Sequence, residues 1–438
     1  MKLHEKLQQL DRYPFHMPGH KRNPAFGIIG SETDITEIEG FDNLHHAQGI
    51  LRETEERLQR IYHSKRSFML VNGSTVGLLA AVFAVCREGD KIIVARNCHQ
   101  SVYNACMLRK LRVVYIEPEY DSVNGCYTGV MQDRVNAVLR EHGDAAALVI
   151  TSPTYEGRIS NITCSVPLII DAAHGAHLGL SHFPAYPKGT VVVSSLHKTL
   201  PALTQTAVLN LYDEQYAFAV GRWLRVFETS SPSYVLMNSV SVCCDLIEQQ
   251  PELFKEYYRR LTDFRQLDLY ALHLKYSDDI SKIMISTENT ALSGSELADI
   301  LRKKYSLEPE MASRNYVLMM TSVGDTQEGF DRLAKALKEI DEGLMTRHER
   351  LLRKPPVPEG VQLIAYPEKV EKTPLSACAG KTAAEFIYAY PPDIPLTVPG
   401  ERITAETLTM LQESAASGVN IVSESGLLPE WILTKAED

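Results

Sequence analysis

The sequence has no apolar run long enough to cross a membrane, because the longest one, Leu78 to Cys86, is far shorter than a spanning helix. Residues 1–15 lack the apolar core of a signal peptide. There is no block of basic residues, and the formal net charge is −10. These absences argue against a membrane protein and against a nucleic-acid-binding protein. We therefore expect neither a membrane nor a nucleic acid among the partners of this chain.

Spacings typical of metal sites are also missing. The eight cysteines show no CxxC pair, and the fourteen histidines show neither HExxH nor a zinc-like pattern. We expect no metal, and the scattered thiols predict a reduced, cytoplasmic setting. Residues 34–46 group carboxylates with His45 and His46, and we interpret this stretch as a polar turn rather than a metal site.

Short apolar segments alternate with helical ones over residues 67–212. Near-continuous apolar strands with helices between them predict an α/β fold with a mostly parallel sheet that is covered on both faces. Such a sheet binds ligands at the carboxyl ends of its strands, where Ser74, His99, Asp171 and Lys198 fall. The helices are predicted at 75–87, 99–110 and 130–143, and the strands at 67–71, 91–95, 113–117, 146–153, 167–172, 190–195 and 206–212.

The remaining segments predict further structure around this sheet. Residues 214–275 have a helical pattern, and from residue 276 a strand–helix–strand–helix pattern indicates a smaller α+β domain. The last helices are predicted at 404–418 and 427–435. We expect three parts, namely an N-terminal arm and helix at 1–66, a large ligand-binding domain at 67–275, and a small domain with a Pro-rich tail at 276–438.

Lys198 follows a predicted buried strand, within the segment SSLHKTLPALTQ. Desolvation at the end of a buried strand favours a neutral, nucleophilic amine, which is the form that a lysine needs to make a Schiff base with an aldehyde. Ser195 and His197 flank the lysine with donors suited to a phosphate. An exposed lysine after an edge strand is the alternative interpretation of this segment alone.

Two further segments favour the functional interpretation. Asp171 ends another predicted buried strand, and a buried carboxylate can hold the proton on the pyridine nitrogen of pyridoxal phosphate (PLP) that makes the ring an electron sink. Gly73, Ser74 and Thr75 begin a helix, where free N–H groups, two hydroxyls and the helix dipole suit a phosphate. In this order, the segments predict a PLP enzyme of fold type I, the aspartate-aminotransferase-like arrangement.

Two other positions keep two interpretations each. His99 opens a predicted helix, so its ring could stack on a flat cofactor or simply cap the helix. The loop that contains Thr229 and Ser230 could supply hydroxyls to a partner subunit's phosphate in a PLP dimer, or it could be an ordinary helix start.

The chain resembles the Orn/Lys/Arg decarboxylases of fold type I, in a short form without an N-terminal wing domain. The likeness covers nearly the whole chain and keeps the motifs in the same order. They are HMPGHK at 16–21, DITEIEGFDNLHH at 34–46, NGSTVG at 72–77, RNCHQS at 96–101, DAAHGAH at 171–177, SSLHKTLPALTQ at 194–205, TSSPSY at 229–234 and YPPDIPLTVPGE at 390–401.

This resemblance implies PLP as the cofactor and a role for each matching residue. Lys198 looks like the lysine that carries PLP, and Asp171 is similar to the partner of the ring nitrogen. As catalytic residues the family pattern implies Lys198, His197 and His99. For the other cofactor contacts it implies His99 on the ring face, Ala173 and His174 beside the ring, Gly73, Ser74, Thr75, Ser195 and His197 around the phosphate, and Thr229 and Ser230 donated to the phosphate across a dimer.

The activity that the resemblance implies is decarboxylation of a basic amino acid (arginine, lysine or ornithine, with arginine favoured) to an amine that feeds polyamine metabolism. A cytoplasmic homodimer with its active site at the subunit interface is expected. Two alternatives stay open. One is another PLP reaction, an aminotransferase or lyase, for which Arg314 is the candidate carboxylate contact, and the other is a non-catalytic PLP-binding regulatory protein.

Three departures from the family pattern lie away from the cofactor core. Family members often have DEAH, HKS and PYPPGIP where this chain has DAAH at 171–174, HQS at 99–101 and AYPPDIP at 389–395. These positions are expected near the substrate, so they bear on substrate identity. A cationic substrate tail needs an acidic partner, and the candidates are Glu385, Asp393 and the acidic run 34–42.

Overall fold

The chain forms two compact units, each assembled from separate stretches of sequence. The computed structural model describes residues 2–346, 351–389, 394–416, 421–427 and 430–436. The predicted domain boundaries stay a prediction, because the two units are defined by packing and interleave along the sequence. The first unit contains Met1–Val85, Ile169–Glu256 and Ser322–Gly324, and the second contains Cys86–Leu168, Tyr257–Thr321 and Asp325–Asp438.

Four strands of the first unit pair side by side in a sheet. Val191–Ser195 pairs in parallel with Leu168–Asp171 and antiparallel with Ala207–Leu211. The last of these also pairs antiparallel with Arg66–Leu70, which forms an edge. The helices are Leu3–Gln8, Ile50–Tyr62, Gly73–Val85, Leu196–Thr199, Ala217–Phe227 and Tyr234–Gln249, with short 3₁₀ turns at Pro24–Phe26, Leu44–His46 and Glu214–Tyr216.

The second unit also contains four paired strands with helices between them. Lys91–Ala95 pairs in parallel with Arg112–Ile116 and with Ala147–Thr151, and Val361–Leu363 joins antiparallel. Helices Gln100–Leu108 and Gln132–Glu141 follow strands of this sheet, as the alternating sequence pattern predicts. A two-stranded hairpin, Tyr120–Asp121 with Cys126–Tyr127, precedes the second of these helices.

The smaller α+β portion of the second unit confirms the predicted strand–helix–strand–helix pattern. The sheet His273–Leu274, Lys282–Ser286, Tyr316–Met320 and Met311–Ala312 carries helices Gly294–Tyr305 and Gln327–Asp341. Helix Pro251–Phe264 leads into it. The C-terminal segments add helix Ala405–Ala416, the 3₁₀ turn Leu375–Ala377, and two sheets made of Val370–Pro374 with Trp431–Lys435 and of Ile394–Thr397, Ile387–Ala389, Ile421–Ser423 and Gly426–Leu427.

One predicted element is wrong. The helix expected over 427–435 is the strand Trp431–Lys435, which pairs antiparallel with Val370–Pro374. Its side chains alternate, with Ile432 and Thr434 buried and their neighbours outside. A two-residue period buries one face of a strand, whereas the short apolar run by itself fits either element.

Helix Gly73–Val85 is apolar on all sides and packs against the first unit's sheet. Gly77 marks the closest approach, since a Cβ there would lie 2.7 Å from Leu70 Cδ1 and 2.8 Å from Val193 Cγ1. Both neighbours are buried side chains of the sheet. The absence of a side chain at Gly77 therefore allows helix Gly73–Val85 to lie this close to the strands.

We predict that Gly77→Ala destabilises the first unit by about 1–3 kcal/mol, because the added methyl overpacks the contact with Leu70 and Val193. Gly221→Ala is the matched control, since its Cβ would meet only Phe68 Cε1 at 3.8 Å in another helix of the same unit. Alanine's helix propensity should make that control neutral or stabilising. Differential scanning calorimetry measures both, and equal unfolding temperatures for the two variants would contradict the prediction.

Candidate active site

A tight turn joins the edge strand Arg66–Leu70 to helix Gly73–Val85. Gly73 has φ 78°, a left-handed conformation that glycine adopts without strain. Its N–H donates to Gln205 O at 2.7 Å, which fixes the start of the helix. The first-turn N–H groups of a helix have no acceptor within the helix, so those of Ser74 and Thr75 can point to an anion.

Ser195, the last residue of its strand, lies against this turn. Its Oγ is 3.0 Å from Ser74 Oγ, so the two hydroxyls converge beside the first turn of the helix. Hydroxyls and first-turn N–H groups are the donors that bind a phosphate. The structure therefore brings together the predicted phosphate contacts from two separate motifs.

Asp171 is the final residue of strand Leu168–Asp171 and is 2% exposed. Its register partner on the neighbouring parallel strand is Val193. Its Oδ1 accepts the N–H of Ala173 at 3.1 Å, and the carbonyl of Ala173 accepts the N–H of Ser195 at 3.3 Å. Asp171 and the Lys198 segment thus lie at the ends of adjacent parallel strands.

Lys198 lies in the short helix Leu196–Thr199, directly after strand Val191–Ser195. Its Nζ is 3.1 Å from Nε2 of the buried His174. At this distance one nitrogen donates a hydrogen bond to the lone pair of the other, so a proton can be transferred between them. This contact places His174 of the DAAHGAH segment beside the lysine of the next strand.

His197 has a defined tautomer. Its Nδ1 is 2.8 Å from the carbonyl oxygen of Thr206, and because a carbonyl only accepts, Nδ1 carries a proton. Burial lowers the pKa of His197, and the nearby Lys198 lowers it further. The neutral ring therefore offers a lone pair at Nε2. It would donate to a phosphate only after a second proton is bound.

The loop after helix Ala217–Phe227 presents the predicted hydroxyls. Thr229 and Ser230 are exposed. The N–H of Thr229 donates to Asn72 Oδ1 at 3.1 Å, and the Thr229 carbonyl is 2.8 Å from His45 Nε2. The backbone of this loop is thereby tied to the residue that precedes Gly73.

His99 lies in the second unit, after strand Lys91–Ala95, and is the N-cap of helix Gln100–Leu108. Its Nδ1 accepts the N–H of Ser101 at 3.1 Å. The capping interpretation is therefore confirmed, and a proton on the neutral ring sits on Nε2. Its role in stacking on a cofactor stays a prediction.

The acidic segment 34–46 has structural uses. Asp42 accepts the N–H groups of Gln48 and Gly49 before helix Ile50–Tyr62, and Asp34 pairs with His20 at 3.1 Å. Among the described residues, no group of three or more candidate ligands could hold a metal ion. Over the same part of the chain, no helix is both long and apolar enough to span a membrane.

Of the two candidate substrate contacts in the tail, the structure describes Glu385 only. Glu385 is fully buried, and its two oxygens accept Ser425 N–H at 3.0 Å, Ser425 Oγ–H at 2.9 Å and Leu433 N–H at 2.6 Å. These contacts tie C-terminal segments together and occupy both oxygens of the carboxylate, which favours a structural role for Glu385. Asp393 lies outside the described residues.

Sequence reasoning missed three residues that organise the site, namely Asn72, Gln205 and His45. All three stand inside motifs quoted for the resemblance. Position inside a motif was the available signal. Which backbone group each side chain or carbonyl would reach depends on long-range packing that the sequence does not display.

Two family models match the chain. One is described as "Orn/Lys/Arg decarboxylase, major domain" and matches residues 3–280, and the other, "Orn/Lys/Arg decarboxylase, C-terminal domain", matches residues 357–415. The chain belongs to this family. It is a PLP-dependent amino-acid decarboxylase, which confirms the resemblance, the enzyme class and the cofactor predicted above.

Similar proteins match either nearly all of the chain or a little over half of it. The chain is 32% identical to the uncharacterised protein YaaO of Bacillus subtilis (strain 168), over 97% of this chain and 96% of that protein. It is 30% identical to a protein of Halalkalibacterium halodurans named arginine decarboxylase, over 93% and 91%. It is 24% identical to the constitutive lysine decarboxylase of Escherichia coli, over 58% and 41%.

Solved structures confirm the fold-type-I architecture. The structure of the E. coli constitutive lysine decarboxylase superposes with a TM-score of 0.80 at 18% identity and covers 99% of this chain and 81% of that one. The lysine decarboxylase of Francisella novicida gives 0.77 at 19% identity, covering 98% and 80%. A B. subtilis ureidoglycine-glyoxylate aminotransferase gives 0.51 at 12% identity, covering 68% and 86%.

The donor set of the first unit fits PLP. A buried carboxylate at Asp171 suits a protonated ring nitrogen, and a buried charge of this kind needs such a partner. The amine of Lys198 suits the aldehyde, and the turn at Gly73 with the hydroxyls of Ser74 and Ser195 suits the phosphate. The individual roles of these residues stay predictions.

We predict that Glu385→Gln lowers the unfolding temperature of the second unit and leaves the KM for substrate unchanged. The amide would turn one acceptor into a donor among three N–H and O–H groups, at a cost of about 1–3 kcal/mol. Glu368→Gln, at an exposed site of the same unit, is the control. Calorimetry and steady-state kinetics separate the effects, and a KM increase without loss of stability would assign Glu385 to the substrate instead.

Proposed function

We propose that this chain decarboxylates arginine, releasing CO₂ and the amine agmatine, which enters polyamine metabolism. The observation that carries the reaction is the Lys198–His174 contact at the end of the strand next to Asp171. The choice of arginine is supported by relatives. Proteins named arginine decarboxylase match 88–93% of the chain at 27–30% identity, and those named lysine decarboxylase match 54–58% at 24%.

PLP, when bound, supplies the electron sink that stabilises the negative charge left at Cα as CO₂ departs. Lys198 would bind the cofactor, with Asp171 at its ring nitrogen and Ala173 and His174 beside the ring. Gly73, Ser74, Thr75 and Ser195 would hold its phosphate. Anchoring at both ends would fix the orientation of the reacting group, which lowers the entropic part of the barrier.

Two histidines are suited to proton handling near Lys198. His174 Nε2 is in direct contact with the lysine Nζ and can exchange a proton with it. His197 is held neutral with its lone pair at Nε2, because Nδ1–H is committed to Thr206. We assign proton return to Cα to Lys198 or His197.

The proposal includes a homodimer in the cytoplasm, with Thr229 and Ser230 reaching the phosphate of the partner subunit. The exposure of these two residues supports this role. Mass photometry of the purified protein tests the dimer, and a Thr229→Ala/Ser230→Ala double variant tests the contact through weaker PLP retention. Cell fractionation tests the location.

We predict that purified protein with PLP releases CO₂ from arginine and yields agmatine, with less or no product from lysine and ornithine. Lys198→Ala should abolish release, since removal of a covalent-catalysis residue typically costs several orders of magnitude in rate. The control is Lys188→Ala, which removes a lysine from a loop of the same unit. Product chromatography and CO₂ capture provide the measurement.

Three outcomes divide the alternatives. Release from lysine or ornithine alone would keep the reaction and change the substrate. Keto-acid formation without CO₂ would indicate an aminotransferase. PLP binding without turnover of any of the three amino acids would indicate a different PLP substrate or a non-catalytic regulatory protein.

A further inference from the structure

Glu228 is a buried carboxylate that the proposed reaction does not use. It is 6% exposed and ends the helix Ala217–Phe227 as its C-cap. Its Oε1 accepts the N–H of Val71 at 2.7 Å, and the backbone N–H of Asn72 also lowers the pKa of the same carboxylate. Both amides belong to the segment between the edge strand Arg66–Leu70 and Gly73.

An edge strand leaves every second N–H without a neighbouring strand to accept it. The strand Arg66–Leu70 is at the edge of the first unit's sheet. Glu55 Oε1 accepts the N–H of Met69 at 3.4 Å, and Glu228 takes the equivalent place two residues later at Val71. Glu228 thus extends the support of the strand beyond its last paired residue and into the turn.

The residue after Glu228 contacts the same turn. Thr229, the next residue, donates its N–H to Asn72 Oδ1 at 3.1 Å. Together with the Gly73 N–H bond to Gln205 O at 2.7 Å, these contacts hold three successive residues, 71–73, which lead into Ser74 and Thr75 of the predicted phosphate site. A phosphate cup made of backbone N–H groups works only if those groups keep their directions.

We propose that Glu228 is a positioning residue for the cofactor phosphate, because its carboxylate fixes the backbone that presents Gly73, Ser74 and Thr75. The inference rests on the phosphate site that is part of the proposed function. It concerns affinity for the phosphate group and makes no claim about the substrate.

The chemistry of the residue supports a specific role. Burial raises the pKa of Glu228 to about 7, and the N–H groups of Val71 and Asn72 partly offset that rise. Burial of a carboxylate costs desolvation free energy. A glutamine side-chain oxygen would accept the same N–H with a smaller desolvation cost. In its ionised form Glu228 is a charged acceptor, and bonds to a charged acceptor are stronger than bonds to a neutral one.

The test compares the binding of PLP with that of pyridoxal, the same aldehyde without the phosphate. Apo-protein is titrated with each compound, and binding is followed by absorbance and by tryptophan fluorescence. The variants are Glu228→Ala and Glu228→Gln, and Glu214→Gln is the control at an exposed glutamate that precedes the same helix. Thermal melts of each apo-protein check the fold.

We expect the Kd for PLP to rise about tenfold or more in Glu228→Ala and less in Glu228→Gln, because the amide still accepts one N–H. The Kd for pyridoxal should change by less than about twofold in both variants, since no phosphate is present to sense the turn. The control should bind both compounds as the wild type does. If Glu228→Ala fails to fold, the PLP-to-pyridoxal ratio of Glu228→Gln decides.

Three results would overturn the inference. They are unchanged PLP binding in the folded Glu228 variants, equal weakening of PLP and pyridoxal, and a wild-type protein that binds PLP no more tightly than pyridoxal. Decarboxylation is not measured in this titration. Failure to release CO₂ from arginine would therefore contradict the proposed substrate without affecting the proposed role of Glu228.

Discussion

The parallel pairing of strands Leu168–Asp171 and Val191–Ser195 is the constraint on which the site of the first unit depends. Its register sets Asp171 opposite Val193, so that both strands end at one edge of the sheet. Lys198 and His174 follow from the two strand ends and meet at 3.1 Å. A shift of one residue would turn each side chain to the opposite face and separate these groups.

The remaining contacts secure this arrangement from the phosphate side. Gly77 allows helix Gly73–Val85 to lie close to the sheet, and the Ser74–Ser195 contact joins the start of that helix to the end of the central strand. The carboxylate of Glu228 then holds the approach to the turn. Packing of the sheet sets the positions of the strand ends, and local hydrogen bonds then orient the groups that they carry.

Much of this arrangement is predictable from sequence for a physical reason. Buried strands carry runs of apolar residues, so 191–193 and 92–95 stand out, and polar residues at or after the ends of such strands fall at one edge of a sheet. The strand Trp431–Lys435 was not predictable in this way. Its short alternation is decided by pairing with Val370–Pro374, a partner some sixty positions away in the chain.

Residues that act on the backbone of another segment were the hardest to predict. Glu228 and Glu385 are both buried carboxylates that accept backbone N–H groups, and in the sequence each looks like a charged surface residue or a contact for a cationic substrate. The N–H groups that they accept are 157 and 48 residues away. Such pairs become visible only when distant segments are packed together.

The glutamates along strand Arg66–Leu70 also affect how copies of the chain meet. An exposed edge strand is a template onto which a strand of another molecule can add, which is a common start of aggregation. Glu55 and Glu228 occupy two successive outward N–H groups of this edge. An incoming strand would have to displace both carboxylates, so this edge resists sheet extension and the site beside it stays accessible in a crowded solution.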